Sequence, residues 1–115
     1  MPLNWVRTFP GPQEAGAKQQ FAILYRPARA DFSDGQTGRE SAAISEHSAY
    51  LKGLLDAGVL KMAGRCEDAS LGLAMIQSDS EAQARRIMEA DPAIKAGVFL
   101  ASLKAWRTAL VDGNW

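Results

Sequence analysis

Cysteine is almost missing from this chain. Cys66 stands alone, which excludes an internal disulfide and fits a reducing, cytoplasmic setting. Histidine is equally scarce, with His47 the single one, so a metal centre built from clustered histidine and cysteine is not expected. Charge of one sign is lacking too: 13 Lys plus Arg balance 13 Asp plus Glu. With no net field to hold a phosphate backbone or an anionic bilayer, neither nucleic acid nor membrane is expected as a partner. No apolar run approaches the roughly 18 residues that span a bilayer, and the opening MPLNWVRTFPGPQEAGA has no cationic stretch followed by an apolar one, so neither a span nor an export signal is expected. Glycine-rich loops of the Rossmann or P-loop kind are absent, and no cofactor is expected.

What is present describes a folding chain. Hydrophobic residues make up 47% and charged residues 23% of 115 positions, the balance of a globular protein rather than a disordered one, at a length that suits one core. Residues 1–19 concentrate Pro2, Pro10 and Pro12 without apolar periodicity and read as an N-terminal extension, in which Trp5 and Phe9 could dock on the domain or on a partner. The folded domain is placed at 20–110 and a short tail at 111–115.

The apolar run Phe21 to Tyr25, closed by Pro27, predicts a strand buried on both faces. Thr37 with Glu40 matches a capping box and opens a helix running to about Ala57, with Gly58 as its left-handed terminator. Ile44, His47, Leu51, Leu54 and Leu55 share one face of that helix by their three- and four-residue spacing. Val59 to Gly64 and Leu71 to Gln77 predict a hairpin about the polar segment 65–70. A second helix starts at Ser78 or Ser80 and stops at Asp91-Pro92, with Ala84, Ile87, Met88 and Asp91 inward. Val98 to Trp106 predicts the last strand.

The order strand, helix, strand, strand, helix, strand is that of an α+β, ferredoxin-like subunit with a four-stranded antiparallel sheet and both helices on one face. Its strands are apolar on both sides: Leu71, Leu73 and Met75 alternate with Ala74 and Ile76. A bare apolar sheet face asks for a cover, most simply a second copy of the chain as a homodimer.

His47 lies in an apolar stripe and is the one side chain here that titrates near neutral pH without a shift. It reads either as a general acid or base on a pocket wall or as a core histidine whose ring nitrogens are merely paired. Asp91 is expected at the C-terminal end of the second helix, where a carboxylate opposes the macrodipole by about 0.3–1 kcal/mol. A partner such as His47 would offset that cost, and the bland alternative is a solvated helix terminator. Cys66, beside Glu67 and Asp68, reads as a bystander, and Arg85 and Arg86 as solvated.

The string HSAYLKGLLDAGVLKMAG, from His47 to Gly64, resembles the signature of the YCII-related (YciI-like) family. DPAIKAGV, from Asp91 to Val98, resembles that family's Asp-Pro segment before the last strand, and FAILYRP its opening strand. The likeness covers about Gln20 to Leu110. It implies a subunit that pairs sheet to sheet into a dimeric α+β barrel, and a candidate active-site pair mapping onto His47 and Asp91. The family includes proteins similar to enzymes that remove chloride from a chlorinated hydroxyquinone. This chain departs from the pattern at Arg65, where proline is common, at Ala93 in place of an aromatic, and at Ala105 before Trp106. Arg65 thereby becomes a candidate anion-binding group, because guanidinium matches carboxylate geometry, and Tyr25 is placed beside it as a substrate-binding residue. The reading that follows is a small acid–base enzyme performing proton transfer, elimination or isomerisation on a small organic ligand. Its alternative is a non-catalytic ligand-binding or accessory dimer in which the His-Asp pair is structural.

Overall fold

The structure is a computed structural model and describes residues 18–32 and 35–113; Trp5 and Phe9 lie outside these. The strand β1 spans Gln19–Pro27, and the helix α1 spans Gly38–Asp56. The hairpin strands are β2, Leu60–Arg65, and β3, Gly72–Ser78. Two helices follow, α2 at Glu81–Glu89 and α3 at Pro92–Lys95, and the strand β4 is Phe99–Trp106.

The caps act where the sequence puts them. Thr37 accepts from the Glu40 backbone N–H while the Glu40 carboxylate accepts from the Thr37 N–H at 2.9 Å, so two donors of the first turn are satisfied reciprocally. Gly58 has φ +79°, the left-handed turn that releases the chain into β2 without a Cβ penalty. Ser80 caps α2 by accepting from the Gln83 N–H.

The sheet order is β2-β3-β1-β4, with every neighbouring pair antiparallel. This is the ferredoxin-like α+β arrangement expected above, with β1 and β3 in the centre. Alternation puts Phe21, Ile23 and Tyr25 of β1 and Ala74 and Ile76 of β3 under the helices, where they join Leu60, Ala84 and Met88 in the main core. A register shift between Leu60 and Met62 turns Leu60 inward and Met62 outward, as a bulge does.

Two expectations need correction. Leu55 is 48% exposed, because the inward face of α1 narrows toward its C-terminal end, where Leu51 and Leu54 make the core contact. Asp91 does not close α2 against its dipole. That helix ends at the cap residue Ala90, and Asp91 is the N-cap of α3, with Pro92 at its first position. The carboxylate therefore sits at the helix end where negative charge is favourable.

Candidate active site

The site forms where α1, the start of α3 and the central strand β1 converge. Asp91 is completely buried, which an ionised carboxylate tolerates only when its oxygens are paired. Oδ1 accepts the Ala93 backbone N–H at 2.9 Å. Oδ2 accepts from the Tyr25 hydroxyl at 3.2 Å and pairs with Nδ1 of His47 at 2.6 Å. Because the carboxylate can only accept, Nδ1 carries the proton and Nε2 is the ring's free nitrogen.

Nε2 makes no hydrogen bond within the described chain, and among the described residues no buried side-chain nitrogen or oxygen lacks a partner. It is therefore accessible to solvent, and the His47 side chain is 14% exposed. His47 faces a cavity of about 870 Å³ whose wall also includes Tyr25, Phe32, Leu51, Arg65, Gly72 and Phe99. The rings of Tyr25 and Phe99 meet His47 edge to face at centroid distances of 5.3 and 5.4 Å. Phe32 extends this wall through Phe99 at 5.8 Å. These contacts fix the imidazole plane while Asp91 fixes its tautomer.

Burial, reinforced by the charge of Asp91, pushes the Tyr25 phenol well above its ordinary value of 10. Tyr25 is thus held neutral as a donor to Asp91. Tyr50 is raised in the same direction, first by burial and then by Asp91, and its hydroxyl ties α1 to α2 by donating to the Ile87 carbonyl at 2.7 Å.

A second cluster ties the start of α1 to the loop that carries Phe32. Arg29 donates to both oxygens of Glu40 at 2.7 Å and to Asp31 at 2.7 Å, with its guanidinium over the ring of Phe32 at 5.7 Å. Glu40 is also the capping-box carboxylate of α1, so one side chain fixes both the helix carrying His47 and the loop carrying Phe32. These bonds, led by those from Arg29, hold the Glu40 carboxyl down at about 2. The Arg39 guanidinium donates to the Ala96 carbonyl at the far end of α3.

Of the residues singled out in the sequence, His47, Asp91 and Tyr25 form one hydrogen-bonded unit. Arg65 stands on the same cavity two strands from Tyr25, and its guanidinium makes only 3.3 Å contacts to the carbonyls of Cys66 and Glu67. Phe32, Phe99 and Gly72 were not singled out. The helix α3 was missed as well, although Asp-Pro is a helix-start signal when read forward rather than as the end of α2. Among the described residues no group of three or more His, Cys, Asp or Glu could hold a metal ion. No described helix is long and apolar enough to cross a membrane.

The model of a protein family described as YCII-related domain matches residues 20–107. No curated protein matches the chain. Among solved structures, a 5-chloro-2-hydroxyhydroquinone dehydrochlorinase from Burkholderia phenoliruptrix AC1100, in complex with 2,5-dihydroxybenzoquinone, is similar at 18% identity and a TM-score of 0.50. The alignment covers 76% of this chain and 93% of that one, and at this identity it speaks to the fold.

Proposed function

The chain belongs to the YCII-related domain family, and from that footing we propose that it is a small acid–base enzyme acting on a small organic molecule. His47 serves as the base through Nε2. It takes a proton from carbon or oxygen of the substrate, and the electron pair left behind either expels a leaving group or shifts a double bond. In an isomerisation His47 returns the proton at the new position. Asp91 offsets the imidazolium charge and keeps the tautomer, the role of the orienting carboxylate in acid–base pairs. The observation that carries this reading is the 2.6 Å contact of Asp91 with Nδ1 while Nε2 stays open to a cavity. Tyr25 and Arg65 complete the ligand site, Tyr25 through its ring edge and Arg65 as an anion anchor. The dehydrochlorinase, whose name denotes an elimination, supports the reaction class by analogy of fold.

The face of the sheet away from the helices, where Ala22 and Met75 are buried at the centre and the rim is apolar and partly exposed, is where the assembly forms. Leu24, Met62, Leu73, Leu100 and Trp106 lie on the side away from the helices, and Leu100 and Trp106 are 43% and 48% exposed. A second copy covers this face, because burying it is favourable by about 25 cal/mol per Å². The exposed, unpaired Cys66 suits a reducing cytoplasm.

The competing reading is a ligand-binding dimer in which the pair is structural. It draws support from Asp91 joining three elements at once, through Tyr25, His47 and Ala93. Hydroxyquinones and chlorinated hydroquinones incubated with the protein in deuterated buffer separate the two. Turnover or deuterium uptake that is abolished by His47→Ala is expected. Binding without either, unchanged in rate by that substitution, would favour the ligand-binding dimer.

A further inference from the structure

Tyr25, Gly72 and Arg65 form one row across three adjacent strands, Tyr25 paired with Gly72 and Gly72 with Arg65. Partners in antiparallel pairs point to the same face, so Tyr25 and Arg65 both rise toward the helices with a residue lacking a side chain between them. Two inter-strand steps separate them by about 10 Å. All three line the cavity that His47 faces.

Nothing in the fold asks for glycine at position 72. Its φ is not positive, and a Cβ built there would meet Tyr25 Cβ at 3.5 Å and the Gly64 carbonyl at 3.6 Å, ordinary van der Waals contact. Glycine weakens a strand interior through backbone entropy and lost packing. A position where alanine fits and would stabilise, yet which opens onto a cavity, marks space kept for something else.

The far end of the row has its own chemistry. Arg65 makes no carboxylate contact among the described residues, only the two 3.3 Å contacts to backbone carbonyls. Of the two carboxylates nearby on the cavity wall, Asp68 is taken by the backbone N–H and hydroxyl of Ser70 at 3.0 and 2.6 Å. Glu67 is exposed and solvated. The guanidinium fork is thus free to take an anion.

We propose that Gly72 is a specificity-determining residue: it keeps open a shallow floor between Tyr25 and Arg65 for the flat face of a planar ring whose anionic substituent lies on Arg65 and whose opposite edge lies toward His47. This rests on the reading of the cavity as the binding site.

Calorimetric titration with 4-hydroxybenzoate, phenol and cyclohexanecarboxylate tests it, alongside thermal melts of Gly72→Ala and Gly72→Val. The wild-type protein is expected to bind 4-hydroxybenzoate better than both others, which lack the charge or the flatness. Gly72→Ala should melt no lower than wild type yet bind 4-hydroxybenzoate about tenfold or more weakly, the scale of one methylene in a pocket; Gly72→Val should weaken it further. Arg65→Gln should abolish the preference over phenol. Equal affinity in Gly72→Ala, or no binding of the planar anion by the wild type, overturns the proposal. Binding that leaves the His47 ring resonances unmoved places the ligand elsewhere and overturns the reading of the cavity itself.

Discussion

Tyr25 and His47 reach the same oxygen of Asp91 from different elements, and their rings stand edge to face with centroids 5.3 Å apart. One comes from the central strand and the other from the middle of α1, so the carboxylate binds sheet and helix together. The arrangement leaves the phenol no exposed position in which to ionise and leaves the imidazole one free nitrogen. Sheet and helix are therefore held together by the same three side chains.

Alkaline titration reads this directly. The chain has two tyrosines, and burial followed by the charge of Asp91 raises both. The folded state keeps protons that the unfolded state releases near pH 10, so this contribution to stability is intact below that pH and is lost as pH rises above it. Absorbance near 295 nm should show phenol ionisation displaced above pH 10, with Tyr25 ionising only on unfolding. Tyr25→Phe should lower stability by about 0.5–1.5 kcal/mol, the net value of one hydrogen bond.

Acid tests the Arg29–Glu40 cluster. Glu40 is held at about 2 rather than 4.5, chiefly by Arg29. Its contribution to stability is present above pH 4.5 and disappears as pH falls toward 2. In Glu40→Gln the pH dependence of the melting temperature across that window should flatten. Arg29→Lys should behave similarly, because an ammonium cannot reproduce the two parallel bonds.

The assembly can be weighed. Light scattering at micromolar concentration should give twice the 12.4 kDa of the chain. Leu73→Glu on the open face should return the monomer while leaving the helix-side core in place, since a charge buried between two sheets is strongly unfavourable. A monomeric wild type would remove the reason for apolar residues on both faces.

Much of this was legible in the sequence because the signals were local. Thr37 and Glu40 announce the start of α1, Gly58 its end, and the two-sided apolar strands the layered sheet. The inward phase of His47 was legible for the same reason. Asp91 was identified with the wrong surroundings: a residue between two helical stretches can end one or begin the next, and only tertiary packing of α3 against α1 decides. The bonds of Tyr25 to Asp91 and of Arg29 to Glu40 span 66 and 11 residues, and no periodic pattern encodes such pairs. Gly72 comes between Tyr25 and Arg65 only through the register of three strands, which no local pattern encodes.

Removing the carboxylate measures what it contributes to the junction. Asp91→Ala leaves the Tyr25 hydroxyl, the His47 Nδ1–H and the Ala93 N–H without their acceptor, and should cost about 3–5 kcal/mol in denaturant melts. Asp91→Asn keeps the shape and one carbonyl oxygen for Ala93, and should cost far less. A comparable loss in both would mean that charge rather than hydrogen bonding holds the junction.

The central claim is that Asp91 fixes the His47 tautomer with Nε2 unprotonated and open to the cavity. Long-range proton–nitrogen NMR of the single histidine, recorded where its ring is neutral, measures this without a substrate. The wild type should show a protonated Nδ1 and a bare Nε2, and Asp91→Asn, whose amide donates where the carboxylate accepted, should reverse the two while the fold persists. A wild-type ring protonated at Nε2, or one whose tautomer is the same in Asp91→Asn, would contradict the account.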